Sequence, residues 1–201
     1  MLTIDFLLKN KNQIGEVSKQ LEMDDIKFLV NLLNEKNDEI RYAAFLALQS
    51  RSEYSPDVYT YWDDLSERLG SSNSYQRSIG IMLIAENVRW DKQNKFDELA
   101  ESYLSHCDDE KFITSRQTIQ SINKWISYKE NLFQAVMQKL MSIGISKYKE
   151  TQRKLLQMDI LNVLSQIQKI KPCNAIEKYV KVVVTGSILD KKAVKQVQKL
   201  F

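Results

Sequence analysis

The residues best equipped for chemistry stand together at His106, Cys107, Asp108 and Asp109, where the chain's single histidine adjoins a thiol and two carboxylates. The grouping resembles a metal cluster, but its spacing argues against one. Structural zinc sites use gapped ligands that converge on the ion, whereas four consecutive residues of a helix or turn point in different directions. Polar residues closing a helix are the expected reading. No Gly-rich phosphate loop, nucleophile elbow or His-Glu zinc motif occurs elsewhere in the 201 residues. The residues therefore predict no enzyme, no metal and no cofactor, and a small-molecule substrate is not expected.

Stepping outward from that segment, four arginines recur at Arg41, Arg77, Arg116 and Arg153, at intervals of 36, 39 and 37 residues. A fixed interval of this size marks a stacked repeat, in which one helical hairpin cannot bury its apolar face alone. In the first unit a helix over about Asp25 to Glu35 places Ile26, Leu29, Val30, Leu32 and Leu33 on one side, with Asp24 or Asp25 as its N-cap. Asn37 and Asp38 make the turn, and a second helix to about Arg51 carries Ala43, Ala44, Ala47 and Leu48, small enough for close packing. Later first helices start near Pro56, near Phe96 and near Leu132. The segments EKFITS and SKYKET are expected as longer turns that project toward a partner.

The stretch NDEIRYAAFLALQS resembles the second helix of a HEAT repeat, and so, with decreasing clarity, do SSNSYQRSIGIMLIAENV, DDEKFITSRQTIQSINKWI and KYKETQRKLLQMDILNVL. The resemblance implies a right-handed α-solenoid of about four to five hairpins, in one domain over 1–201. Repeats are expected over 24–51, 56–89, 91–127 and 129–170, with capping segments over 1–23 and 174–201. It also implies that a turn carboxylate pairs with each recurring arginine: Asp38 with Arg41, and Asp108 or Asp109 with Arg116. Repeat two offers only Asn73, and repeat four only Glu150, which would leave Arg153 less constrained. A weaker similarity to DNA alkylation repeat glycosylases implies a basic inner face with aromatic residues and a carboxylate. Trp62-Asp63-Asp64, Trp90-Asp91 and Trp125 do not fall where that chemistry needs them.

Positions one, four and five residues after each arginine are those expected to line the inner face. They include Tyr42, Phe45 and Leu46, then Ile81 and Met82, then Gln117 and Gln120, then Lys154 and Gln157, changing from apolar to polar along the chain. Ile79 to Ala85 is apolar all round, so that helix is either buried on every side or covered by a partner.

Charge is unevenly divided behind a net of +3. Residues 1–110 hold 12 Lys+Arg against 21 Asp+Glu, a net of −9; residues 111–201 hold 17 against 5, a net of +12. Local charge, rather than the sum, sets the attraction to an anionic surface. The expected function is a non-enzymatic scaffold binding a protein partner, with Lys124, Arg153 and Lys154 beside the inner-face positions as contacts. The alternative is a nucleic-acid-binding protein using the basic half on phosphates.

No apolar run approaches the roughly 20 residues that span a bilayer, and no membrane partner is expected. The first ten residues lack the pattern of a secretory signal, and two cysteines without framework spacing fit reduced thiols. A cytoplasmic location is the corresponding expectation.

Overall fold

The computed structural model describes residues 2–201, so Met1, the first residue of the expected 1–23 cap, lies outside the described residues. Among the described residues the chain is all-α: twelve α-helices joined by turns and short 3-10 segments, 80% helical, with no strand. With only five glycines and two prolines there is little to interrupt helices. The chain forms two compact units, the first ending at Phe96 and the second running Asp97–Phe201.

The first unit contains α1 (Ile4–Lys9), α2 (Ile14–Lys19), α3 (Met23–Leu32), α4 (Asp38–Ser52), α5 (Trp62–Glu67) and α6 (Ser74–Asn87). Helix α4 is its hub, touching α1, α2, α3 and α6. Buried Ala43, Ala44 and Ala47 keep its surface low, so several neighbours approach at once. Arg51 near its end donates to the carbonyls of Ser18 (3.1 Å) and Lys19 (3.2 Å), satisfying the last turn of α2, and pairs with Asp57. The first helix begins earlier than expected, at Met23, because Glu22 and Asp25 form a capping box.

The expected first helix after Pro56 is broken into a 3-10 turn (Asp57–Tyr61), α5 and another 3-10 turn (Arg68–Gly70). It nevertheless packs closely on α6 at Gly80, where an added Cβ would lie 2.8 Å from the Leu65 carbonyl oxygen and 2.9 Å from Arg68 Cβ. Of Ile79 to Ala85, every residue is buried except Met82, which is half-buried. The all-apolar helix is therefore interior, and no partner is needed to cover it.

The second unit comprises most of α7 (Lys95–Ser105), with α8 (Phe112–Trp125), α9 (Phe133–Ser142), α10 (Glu150–Ile170), α11 (Asn174–Thr185) and α12 (Lys191–Leu200). The 21-residue α10 contacts α8, α9, α11 and α12. Leu161 of α10 gathers Leu189, Ala193 and Val197 into a buried cluster, with Tyr179, Val180 and Val183 of α11 packed around it. Thus α12 turns its apolar side inward. Phe112 to Ser115 of EKFITS are already helical, so the projecting turn expected there shrinks to residues 109–111. In SKYKET, too, helix resumes at Glu150.

Candidate interaction surface

The recurring arginines hold equivalent local positions. Arg41, Arg77 and Arg153 are each the fourth residue of their helices, α4, α6 and α10, and Arg116 is the fifth residue of α8. Three turn back onto the backbone of the preceding turn. Arg41 donates to Glu35 O (2.8 Å), Arg77 to Ser71 O (2.9 Å) and Ser72 O (3.2 Å), and Arg153 to Tyr148 O (2.8 Å) and Ser146 O (2.9 Å). These carbonyls close the previous helical segment and lack partners within it, so a guanidinium there satisfies acceptors that would otherwise face water.

A turn carboxylate joins only at Arg41, through Asp38. The expected partners of Arg116 are engaged elsewhere: Asp108 by Lys147 and Tyr148, and Asp109 by the Lys111 amide (2.8 Å) and His106 Nδ1 (3.3 Å). Arg116 reaches forward to α10 instead, where Asp159 accepts from its Nε (2.6 Å) and Nη2 (3.2 Å) and from Gln120 Nε2 (2.9 Å). The expectation that Arg153 is less constrained also fails, since two carbonyls hold it.

The histidine, cysteine and aspartate quartet is a joint. His106 and Asp109 face each other across the turn, while Cys107 is buried and Asp108 reaches Lys147. Asp108 ties the quartet to the turn before α10, where its hydrogen bond to Lys147 holds that ammonium's pKa above the usual value. Burial, with Asp108 adjacent, also raises the Tyr148 phenol. Cys107 is fully buried, its carbonyl accepting from Ser115 Oγ (2.6 Å), and burial pushes the thiol up to about 12. A thiol so far from ionising is a poor nucleophile near neutrality. Among the described residues, no three His, Cys, Asp or Glu side chains are grouped to hold a metal ion.

The expected inner-face residues separate into two sets. Phe45, Ile81 and Gln157 are buried, and so are corrected from contact surface to core. The position four residues after the arginine points into the packing of these helices, and Gln157 is held through its Nε2 by Tyr179 Oη at 3.0 Å. Tyr42 is 61% exposed, Gln120 and Lys124 are exposed, and Leu46, Met82, Gln117, Arg153 and Lys154 are half-buried. Lys154 pairs with Asp190, the N-cap of α12.

The sequence reading missed Tyr75, 66% exposed on the first turn of α6. Its ring lies under the Arg41 guanidinium, 5.7 Å from Cζ to centroid. Arg41 and Tyr75, with Asp38, Asn73 and Gln76, line an open depression of about 380 Å³. Tyr42, on the same helix as Arg41, leans over Phe45 with ring centroids 6.2 Å apart. The available signal was a large aromatic residue in the polar phase of its helix. Ile113 of α8 and Leu155 of α10, 61% and 45% exposed, are aliphatic residues that are likewise left outside the core.

The charge contrast weakens once the units are drawn. Residues up to Phe96 hold 12 basic against 15 acidic residues, and those from Asp97 hold 17 against 11. The acidic stretch from Asp97 to Glu110 belongs to the basic unit, where Asp97 pairs with Lys129 at 2.9 Å and Asp108 with Lys147. No helix among the described residues is long and apolar enough to cross a membrane. Comparison with family models, curated proteins and solved structures finds no match to the chain.

Proposed function

We propose that the chain is a non-enzymatic scaffold of HEAT-type helical hairpins that binds a protein partner. The observation that carries this reading is the pair of exposed rings, Tyr42 and Tyr75, near Arg41, which is itself largely buried and held by Asp38, with Tyr75 beside an open depression. Tyrosine and arginine dominate the energetics of protein interfaces because they bury large, stiff surfaces and retain a polar tip. Two tyrosines more than half exposed on neighbouring helices have no role in the core, so their retention at the surface favours contact with another molecule. The equivalent placement of Arg41, Arg77 and Arg153, each fourth in its helix and bonded to the preceding turn, supports the repeat assignment.

Of the residues the nucleic-acid alternative would use, Arg153 is held by backbone carbonyls and Lys154 is paired with Asp190, while Lys124 is exposed. The test compares affinity capture from the source cell by wild type and by Tyr42→Ser/Tyr75→Ser, alongside salt titrations on random duplex and single-stranded DNA. The reading expects a specific protein captured by wild type, at least about tenfold depleted with the double variant, and weak DNA binding. Tight, salt-sensitive DNA binding unaffected by the tyrosine changes would overturn it.

A further inference from the structure

The last 33 residues hold eight lysines against two carboxylates, Glu177 and Asp190, and no arginine. All eight lysines are exposed, and none has an ion-pair partner among the described residues. Earlier in the chain the pattern is the reverse: seven lysines between Lys11 and Lys154 each pair with a carboxylate. The two acids of the last segment are also engaged, Glu177 accepting from Gln168 Nε2 (3.3 Å) and Asp190 capping α12 while it pairs with Lys154. The positive charge of this segment is therefore left unneutralised.

The fold collects most of it on one face. Tyr179, Val180 and Val183 of α11, with Ala193 and Val197 of α12, gather around Leu161 of α10. At about 3.6 residues per turn, Lys178 and Val182 then fall on the far side of α11, and Lys191, Lys192, Lys195 and Lys199 on the far side of α12. Lys181 is not counted with them, since it lines the groove between the two helices one turn from Glu177. The outward face so defined carries five lysines and no carboxylate, on helices whose other sides are fixed to the core. Val182 shares it and, at 70% exposed, is the most exposed large apolar side chain among the described residues. A partner for this face supplies dense negative charge over a broad surface and takes up an apolar side chain beside it. We infer that the outward face of the α11–α12 hairpin is a peripheral contact for anionic lipid headgroups, the lysines lying against the headgroups and Val182 entering between them. Clusters of four to eight basic residues are drawn to an anionic leaflet, each lysine raising partitioning about fivefold. The expectation of no membrane partner rested on the lack of a spanning run, which a peripheral contact does not need.

Other polyanions match the face less well. A nucleic acid is gripped by guanidinium forks and by aromatic rings that stack on bases, and the segment has no arginine; of its two aromatic residues Tyr179 is bonded to Gln157 and Phe201 lines the groove. Protein interfaces are depleted in lysine and are anchored by tyrosine, tryptophan or arginine, none of which this face offers. Val182 would stay exposed against a phosphate backbone, whereas a headgroup layer has an apolar region beneath it. The site goes beyond the protein-binding reading and does not use Tyr42 or Tyr75, so the two can fail separately.

The test is co-sedimentation of the full chain with vesicles of phosphatidylcholine alone or of phosphatidylcholine with about one-third phosphatidylserine. Circular dichroism of every variant checks that the fold is kept. Half-maximal binding to the serine vesicles is expected at roughly 0.1–1 mM accessible lipid, about tenfold or more weaker on phosphatidylcholine alone, and falling as salt rises. Lys191→Gln/Lys195→Gln/Lys199→Gln should weaken it about 100-fold and Val182→Ser about two- to fourfold. Lys11→Gln/Lys19→Gln/Lys95→Gln, which removes paired lysines elsewhere, and Tyr42→Ser/Tyr75→Ser should each keep it within about twofold. Equal binding to both kinds of vesicle, or equal binding by the α12 lysine variant and wild type, overturns the inference. Fluorescence anisotropy with labelled duplex DNA and with polyglutamate presents the competing partners. Half-saturation by either at a lower concentration of phosphate or carboxylate than of serine lipid overturns the inference in favour of a nucleic acid or an acidic protein.

Discussion

Replacing Gly80 with alanine sets two physical effects against each other. Helix propensity alone favours the change by about 1 kcal/mol, since alanine is the best helix former and glycine among the worst. The packing of α5 on α6 opposes it. The new methyl carbon would stand 2.8 Å from the Leu65 carbonyl oxygen and 2.9 Å from Arg68 Cβ, distances real Cβ atoms essentially never show. Both obstacles are on or next to backbone, so relief requires moving the Trp62–Gly70 segment by several tenths of an ångström. Overpacking of this kind costs about 1–3 kcal/mol, and contact with rigid backbone puts Gly80→Ala at the upper end. The net expectation is a loss of about 1–2 kcal/mol, seen as a Tm lowered by roughly 2–8 °C and a lower urea midpoint at unchanged slope. Gly15→Ala is the control, because its methyl would meet only Ser50 Oγ at 3.9 Å, an ordinary contact. That variant should be neutral or stabilised by up to about 1 kcal/mol. If Gly80→Ala proved as stable as wild type, the close approach of these helices would be wrong.

Two further outcomes follow from the second unit. Asp159→Ala removes the acceptor of both Arg116 and Gln120, and with the guanidinium partly solvated it should cost about 1–3 kcal/mol in urea unfolding, with a smaller loss for Asp159→Asn; equal stability of the alanine variant and wild type would refute the tie. Cys107 should resist iodoacetamide at pH 8 in the folded chain while half-buried Cys173 reacts, and both should react in urea. Its folded thiol ionises only near about 12 against an ordinary value of 9.0, so the unfolded state loses its proton first. Stability should therefore fall as pH rises from 9 toward 12, by about 1.4 kcal/mol per unit from this thiol, and Cys107→Ala should lack that component. An identical slope in both proteins would show that the thiol is not buried as described.

The all-α class and several helix starts were legible because apolar spacing and capping residues act locally: Asn37, Asn73 and Asp190 all cap the helices they precede. That His106 to Asp109 close a helix was legible from their consecutive spacing, whereas the tie of Asp108 to Lys147 and Tyr148 was not. What escaped the sequence depends on contacts between segments far apart. No local signal separates Asp109, engaged within its own turn, from Asp159, 43 residues beyond Arg116 and its actual partner. Phe45 and Ile81 were assigned outward by analogy with a repeat pattern, yet their burial depends on how many neighbours α4 and α6 acquire. Tyr75 was detectable, since an aromatic side chain on the solvent phase of a helix stands out without any partner in view.

The arginines that bond to turn carbonyls recognise peptide backbone, and every residue type supplies the same oxygen. A joint held this way places no demand on the side chains of the turn it closes, and the turns before Arg41, Arg77 and Arg153 accordingly share almost no sequence. For protein engineering, the side chains at Glu35, Ser72 and Ser146 are the ones to vary, with the backbone carbonyls and the arginine behind each kept as the fastener and Lys147 kept for its tie to Asp108.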